Sequence, residues 1–125
     1  MLTIKKIVTT EEAENYLRQQ SIDHTIETEQ FMGVYDGDRL TGIGSICLRG
    51  TKVYMDFIYT EENDRLLKHG LCKALLNMAD LSGIQTIYGS EQSLYEMYSL
   101  LRFQKEEEEY VLSLDGYFTA DSCSH

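Results

Sequence analysis

No proline occurs anywhere in this 125-residue chain, and no tryptophan either. Without proline, turns must come from glycine and from Asx and Ser/Thr chemistry, and no rigid linker is written into the sequence. Low-complexity stretches and internal repeats are also missing, so nothing marks a boundary and residues 1–125 are expected to form a single domain. The longest apolar runs fall far short of the about 20 residues that a membrane-spanning helix needs. The stretch from Met1 to Leu17 holds no uninterrupted apolar segment ending in a small-residue cleavage site. Cysteine is scarce: Cys47, Cys72 and Cys123 are odd in number and lack metal-ligand spacing, which argues against a disulfide framework and a zinc site. His24, His69 and His125 share no spacing with one another or with a cysteine, so no metal is expected. These absences point to a cytoplasmic protein with reduced thiols and no membrane partner.

What is present is ordinary for a globular domain, with 42% apolar and 26% charged residues. The balance of charge is not ordinary. A net charge of -10 repels phosphate backbones and anionic lipid, which argues against nucleic acid as a partner, and attracts cationic amines. Much of that charge lies in Glu106 to Glu109 and in Glu27 with Glu29, runs that most often form solvated faces.

Lys5 to Val8, preceded by Leu2 and Ile4, reads as a short strand. Thr9-Thr10-Glu11-Glu12 is a capping box opening a helix to about Gln20, with Ala13, Tyr16 and Leu17 as its apolar stripe. Phe31–Tyr35, Leu40–Leu48 and Val53–Tyr59 are strand-like runs joined by Asp36-Gly37-Asp38 and Arg49-Gly50-Thr51, an antiparallel meander. Gly42 and Gly44 share one face of the middle strand, which suits either the close approach of a neighbouring element or ligand, or a twisted or bulged strand. From Gly70, the residues Leu71, Ala74, Leu75, Met78 and Ala79 recur at helical spacing and Gly83 follows as a stop. Ile84–Tyr88 is a short β-rich run. Ser93-Leu94-Tyr95-Glu96 is a second capping box for a helix to about Arg102, and Phe103 onward, with Tyr110–Leu114, supplies one or two final strands. The order is β-α-β-β-β-α-β-α-β.

That order, with Gly33-Val34-Tyr35-Asp36-Gly37-Asp38-Arg39-Leu40-Thr41-Gly42-Ile43-Gly44 as a hairpin, resembles the GNAT (GCN5-related N-acetyltransferase) superfamily. Gly70-Leu71-Cys72-Lys73-Ala74-Leu75-Leu76 resembles the second half of the family's Gln/Arg-x-x-Gly-x-Gly/Ala motif, and Tyr98-Ser99-Leu100-Leu101-Arg102-Phe103 resembles its Tyr-x-x-x-Gly-Phe. The likeness covers roughly residues 31–103 plus the opening strand and helix. Leu67 stands in the place of the motif's Gln or Arg, Cys72 replaces its second small residue, and Arg102 stands where glycine usually precedes Phe103. The connection from Tyr59 to Gly70 is also about three residues longer than is common in the family. The fold class implied is α+β, a GNAT-like mixed, mostly antiparallel twisted sheet flanked by helices.

The resemblance implies an acetyl-CoA site. A loop leading into a helix offers free N–H groups to a diphosphate; Gly70 with the amides of Leu71, Cys72 and Lys73 would supply it, and Arg65, Lys68 and Lys73 would add charge. The same residues also read as one continuous helix, capped by Asn63 and running through Gly70, in which case no phosphate loop forms. The resemblance further places the thioester arm beside the amides of Ile58 and Tyr59, and makes Tyr98 the acid that protonates the departing thiolate; a buried core tyrosine explains Tyr98 as well. Asp56 is the carboxylate of the central strand run and the candidate base, with Glu61, Glu62 and Glu91 as weaker ones; a satisfied solvent-side carboxylate is the alternative. Cys72, near a helix start, is either a thiol of lowered pKa or a small buried residue.

Two functions follow as expectations. The first is an acetyl-CoA-dependent N-acetyltransferase, moving an acetyl group to an amine of a small molecule or peptide by direct attack without a metal. The second is a non-catalytic GNAT-like module for acyl-CoA sensing or protein interaction, compatible with a homodimer formed through the final strands.

Overall fold

The computed structural model describes residues 1–118; Cys123 and His125 lie outside the described residues. Among the described residues seven strands form one sheet in the order β1-β2-β3-β4-β5-β7-β6, with three α-helices between them. The strands are β1 (Leu2–Lys6), β2 (Glu29–Asp36), β3 (Arg39–Arg49), β4 (Lys52–Thr60), β5 (Thr86–Gly89), β6 (Gln104–Glu106) and β7 (Glu109–Ser113). The helices are α1 (Thr10–Gln19), α2 (Arg65–Leu81) and α3 (Tyr95–Leu100). All pairings are antiparallel except β4 with β5, which follows from the α2 crossover between them. The first strand sits nearer the start than its β-rich reading, because Leu2 and Ile4 pair with Asp36 and Val34 while Val8 is left exposed. Among the described residues no helix is long and apolar enough to cross a membrane.

Helix starts follow local side-chain chemistry, with two adjustments. Thr9 caps α1 by accepting from the Glu12 amide at 3.2 Å, but the Glu12 carboxylate, instead of reaching back, accepts from the Tyr35 hydroxyl at 2.8 Å. Ser93 does not cap α3. Glu91 accepts from both the Ser93 amide and hydroxyl, building a 3-10 turn at Gln92–Leu94 that runs into the helix. With its hydroxyl donated to the Glu91 carboxylate, Ser93 makes no cap contact among the described residues, and α3 starts without a side-chain cap. At the far end of α3, Phe103 N–H bonds the Tyr98 carbonyl and Arg102 N–H bonds that of Ser99, a Schellman closure. It puts Arg102 at φ 73, the left-handed conformation that favours glycine.

Two cores sandwich the sheet. On one face α2 and α3 bury Met55, Leu75, Leu76, Ile87, Tyr98 and Leu112. On the other α1 buries Tyr16, Leu17, Phe31, Tyr35 and Ile43, so the expected stripe of α1 does face inward. Gly44 serves the approach of a neighbouring element: a β-carbon there would meet Ile58 Cδ1 at 2.9 Å and Leu75 Cδ1 at 3.0 Å, so α2 rests directly on the strand.

The loop expected at Gly70 is not there. α2 is continuous from Arg65 to Leu81, and its cap is Asp64, one residue beyond the expected Asn63. Asp64 Oδ1 accepts from the amides of Leu66 at 2.9 Å and Leu67 at 3.2 Å, and the Asp64 carbonyl takes the Lys68 amide at 3.0 Å. Continuity wins because Leu67, Leu71, Leu75 and Met78 keep one apolar stripe in phase, and burying it outweighs the about 1 kcal/mol that a mid-helix glycine costs. A β-carbon at Gly70 would sit 3.4 Å from Ile4 Cδ1, an ordinary contact. Gly70→Ala is therefore expected to raise stability by about 0.5–1 kcal/mol, seen as a higher urea midpoint at unchanged slope. A destabilised variant would show that the position needs glycine after all.

Candidate functional site

β3 and β4 fall out of register at one point. Ser45 faces Phe57 and Cys47 faces Tyr54, so Met55 and Asp56 together oppose Ile46 alone, a bulge on β4. At the same level β4 leaves β5, since the two strands register only at Tyr54 and Tyr88. The bulge and the divergence together aim the Met55 carbonyl and the Asp56 side chain away from the β3 ladder.

Tyr98 fills that junction. Its ring lies against Gly89, where a β-carbon would collide with the ring atoms, and it is fully buried. Its hydroxyl, which has one proton to give, is 2.7 Å from both the Met55 carbonyl oxygen and Asp56 Oδ1, and the Glu91 amide approaches it at 3.5 Å. Asp56 Oδ1 also accepts from the Ser90 amide at 2.8 Å, and Oδ2 accepts from Ser90 Oγ at 2.6 Å and Arg49 Nη1 at 3.1 Å. Sequence thus supplied two residues, Tyr98 and Asp56, that the structure brings together. It missed Ser90, Gly89 and Arg49, which carry no local signal.

The junction links β4 to the residues after β5 and to α3. Burial first, then the Asp56 charge, pushes the Tyr98 phenol well above its ordinary pKa. Asp56 accepts from the Ser90 amide and hydroxyl and from Arg49 Nη1, and shares the single Tyr98 proton with the Met55 carbonyl. Of the weaker candidates, Glu61 accepts from Tyr16 and Arg39, and Glu91 serves as a cap.

The residues expected around a diphosphate are dispersed along α2. Leu71 and Cys72 are buried in the helix body, so their amides belong to the helical ladder. Burial pushes the Cys72 thiol up to about 12, the reverse of a thiol activated at a helix start, and Lys68 offsets this only partly. Lys73 lies about 12 Å along the axis from Arg65 and sits over the Tyr117 ring at 4.8 Å. Arg65 pairs with Glu96, and Lys68 Nζ donates to Asn63 at 2.9 Å. Ile58 and Tyr59 pair with Gly44 and Ile43, leaving their other edge beside the divergence from β5. Among the described residues no group of His, Cys, Asp or Glu is arranged to hold a metal. Ser45 and His24 both bond Glu29, at 2.5 and 3.0 Å, with the carboxylate in the middle, so the serine has no imidazole base.

No family model matches the chain and no curated protein matches it in sequence. Solved structures do match. The N-acetyltransferase from Staphylococcus aureus Mu50 superposes with a TM-score of 0.69 at 18% identity, over 91% of this chain and 98% of that one. The Escherichia coli protein YhhK, solved bound to coenzyme A, gives 0.61 at 14% identity over 90% and 98%. A protein solved as the KacTA–DNA complex gives 0.64 at 14% over 98% and 99%. The chain has the fold of the GNAT N-acetyltransferase superfamily. Within that fold, the Tyr98 junction predicts that Tyr98→Phe, which leaves the Met55 carbonyl and Asp56 short of a donor, lowers stability by about 1–3 kcal/mol in chemical denaturation. A neutral substitution would mean that the hydroxyl does not hold the strands.

Proposed function

We propose that this chain is a GNAT-fold domain that acts as a binding module and does not carry out acyl transfer. The observation behind this reading is the unbroken α2: the Leu71, Cys72 and Lys73 amides expected to meet a diphosphate lie inside the helix, and at its start the chain's own Asp64 carboxylate already holds the free Leu66 and Leu67 amides. A second anion there would meet Asp64 at contact distance, with Glu61 and Glu62 just before it in the chain, and repulsion between like charges opposes binding. The Asp56, Ser90 and Tyr98 contacts close the base of the β4–β5 divergence, where a thioester would have to reach. The net charge of -10 makes a nucleic acid partner unfavourable, and a homodimer through β6 and β7 fits a binding role.

The second reading is an acetyl-CoA-dependent N-acetyltransferase acting on an amine by direct attack. It is favoured by the divergence of β4 from β5 beyond Tyr54 and by Tyr98 and Asp56 meeting there. Calorimetric and thermal-shift titrations with acetyl-CoA and with free CoA separate the two. The binding-module reading expects no heat and no shift at millimolar ligand. Saturable binding raises stability by about 2.7 kcal/mol at a hundredfold excess over Kd, and together with thiol release in the presence of amines it would establish the transferase.

A further inference from the structure

A cleft of about 380 Å³ opens between α1 and the β2–β3 hairpin, on the face of the sheet opposite α2 and α3. Its floor is Tyr16 and Leu40, both buried. The polar groups at and beneath the floor are engaged within the protein: Tyr16 donates to Glu61 at 2.7 Å, Tyr35 to Glu12 at 2.8 Å and Tyr59 to Gln20 Oε1 at 2.8 Å. Burial, reinforced by Glu61, keeps the Tyr16 phenol protonated, so the floor carries no charge of its own.

The walls are different. Glu11, Asn15 and Gln19 recur every four residues along α1 and form one polar row. Among the described residues the Glu11 carboxylate and the Gln19 amide have no protein partner, and the NH2 groups of Asn15 and Gln20 have none. Across the cleft, Arg39 places only Nη1 against Glu61, at 3.3 Å, and keeps its other N–H groups. A concave site thus presents a carboxylate on one wall, a guanidinium on the other and uncommitted amides between them.

We infer that this cleft binds a small zwitterion, with its ammonium on Glu11 and its carboxylate on Arg39. A simple cation would lie beside the guanidinium and a simple anion beside Glu11, so only a ligand carrying both charges satisfies both walls. The volume lies at the small end of the about 300–1,000 Å³ usual for ligand pockets, which suits an amino acid or a dipeptide. Asn15, Gln19 and Gln20 then meet the polar groups between the two charged ends. The inference is independent of whether the chain transfers acyl groups.

The test is an amide-resolved NMR titration of the full chain with glycylglycine and glycine as zwitterions of two lengths, glycinamide as the cation alone and N-acetylglycine as the anion alone. Saturable shifts confined to α1 and the hairpin are expected from a zwitterion, at least about tenfold tighter than from either half, and the better of the two lengths sets the ligand class. Arg39→Ala and Glu11→Gln should each weaken binding about tenfold while leaving the melting temperature unchanged, since both side chains are exposed and surface pairs contribute little. Three outcomes overturn the inference: no saturable shift from either zwitterion well above the millimolar range, equal affinity for the halves, or variants that bind like the parent.

Discussion

The two halves of the sheet share one backbone bridge, between Tyr54 and Tyr88; Glu109 bonds Lys52 and Tyr54 on one side of it, and on the other the Asp56 carboxylate and the Met55 carbonyl meet Ser90 and Tyr98. A parallel pair that separates after one bridge leaves carbonyl and amide groups without a ladder, and buried groups of that kind must find other partners. Here the bulge turns Met55 and Asp56 toward Tyr98, the missing β-carbon of Gly89 lets the Tyr98 ring lie flat on β5, and Ser90 completes the carboxylate's shell. Arg49, itself over the Tyr54 ring at 5.3 Å, supplies the positive charge that a nearly enclosed carboxylate requires.

That arrangement and the Asp64 cap share a theme. In both places a carboxylate of the chain occupies donors that an open version of the same fold could offer to a ligand. At the helix start the carboxylate also complements the macrodipole, so the closure stabilises the fold as well as blocking an anion. The strongly acidic composition works in the same direction, because any diphosphate would approach against a net charge of -10. The cleft over α1 is built the other way, with the Glu11 carboxylate unpaired among the described residues and Arg39 engaged with Glu61 through Nη1 alone, above a neutral, satisfied floor.

Most of the architecture was legible because it rests on local rules. The glycine turns at Gly37 and Gly50, both at positive φ, set the β2–β3–β4 meander, and Thr9, Ala13, Tyr16 and Leu17 set α1 and its buried side. The site was legible only in part. Periodicity alone left open whether Gly70 ended a loop or sat inside a helix, and within the helix reading it placed the cap at Asn63, one residue before the actual cap, Asp64. Resemblance favoured the loop, whereas packing of the Leu67–Leu71–Leu75 stripe against β3 decided for the helix. The partners of Tyr98 come from β4, from the residues after β5 and from Arg49, which are distant in sequence, and no local pattern announces such a meeting.

Whether the backbone around Gly70 is ordinary helix or a grip for phosphate is what native-state hydrogen exchange measures residue by residue, with and without acetyl-CoA. The account predicts that the amides of Gly70, Leu71 and Cys72 are protected as strongly as those at the centre of α2 and that acetyl-CoA changes none of them. Rapid exchange at these three positions that slows when acetyl-CoA is added would contradict it.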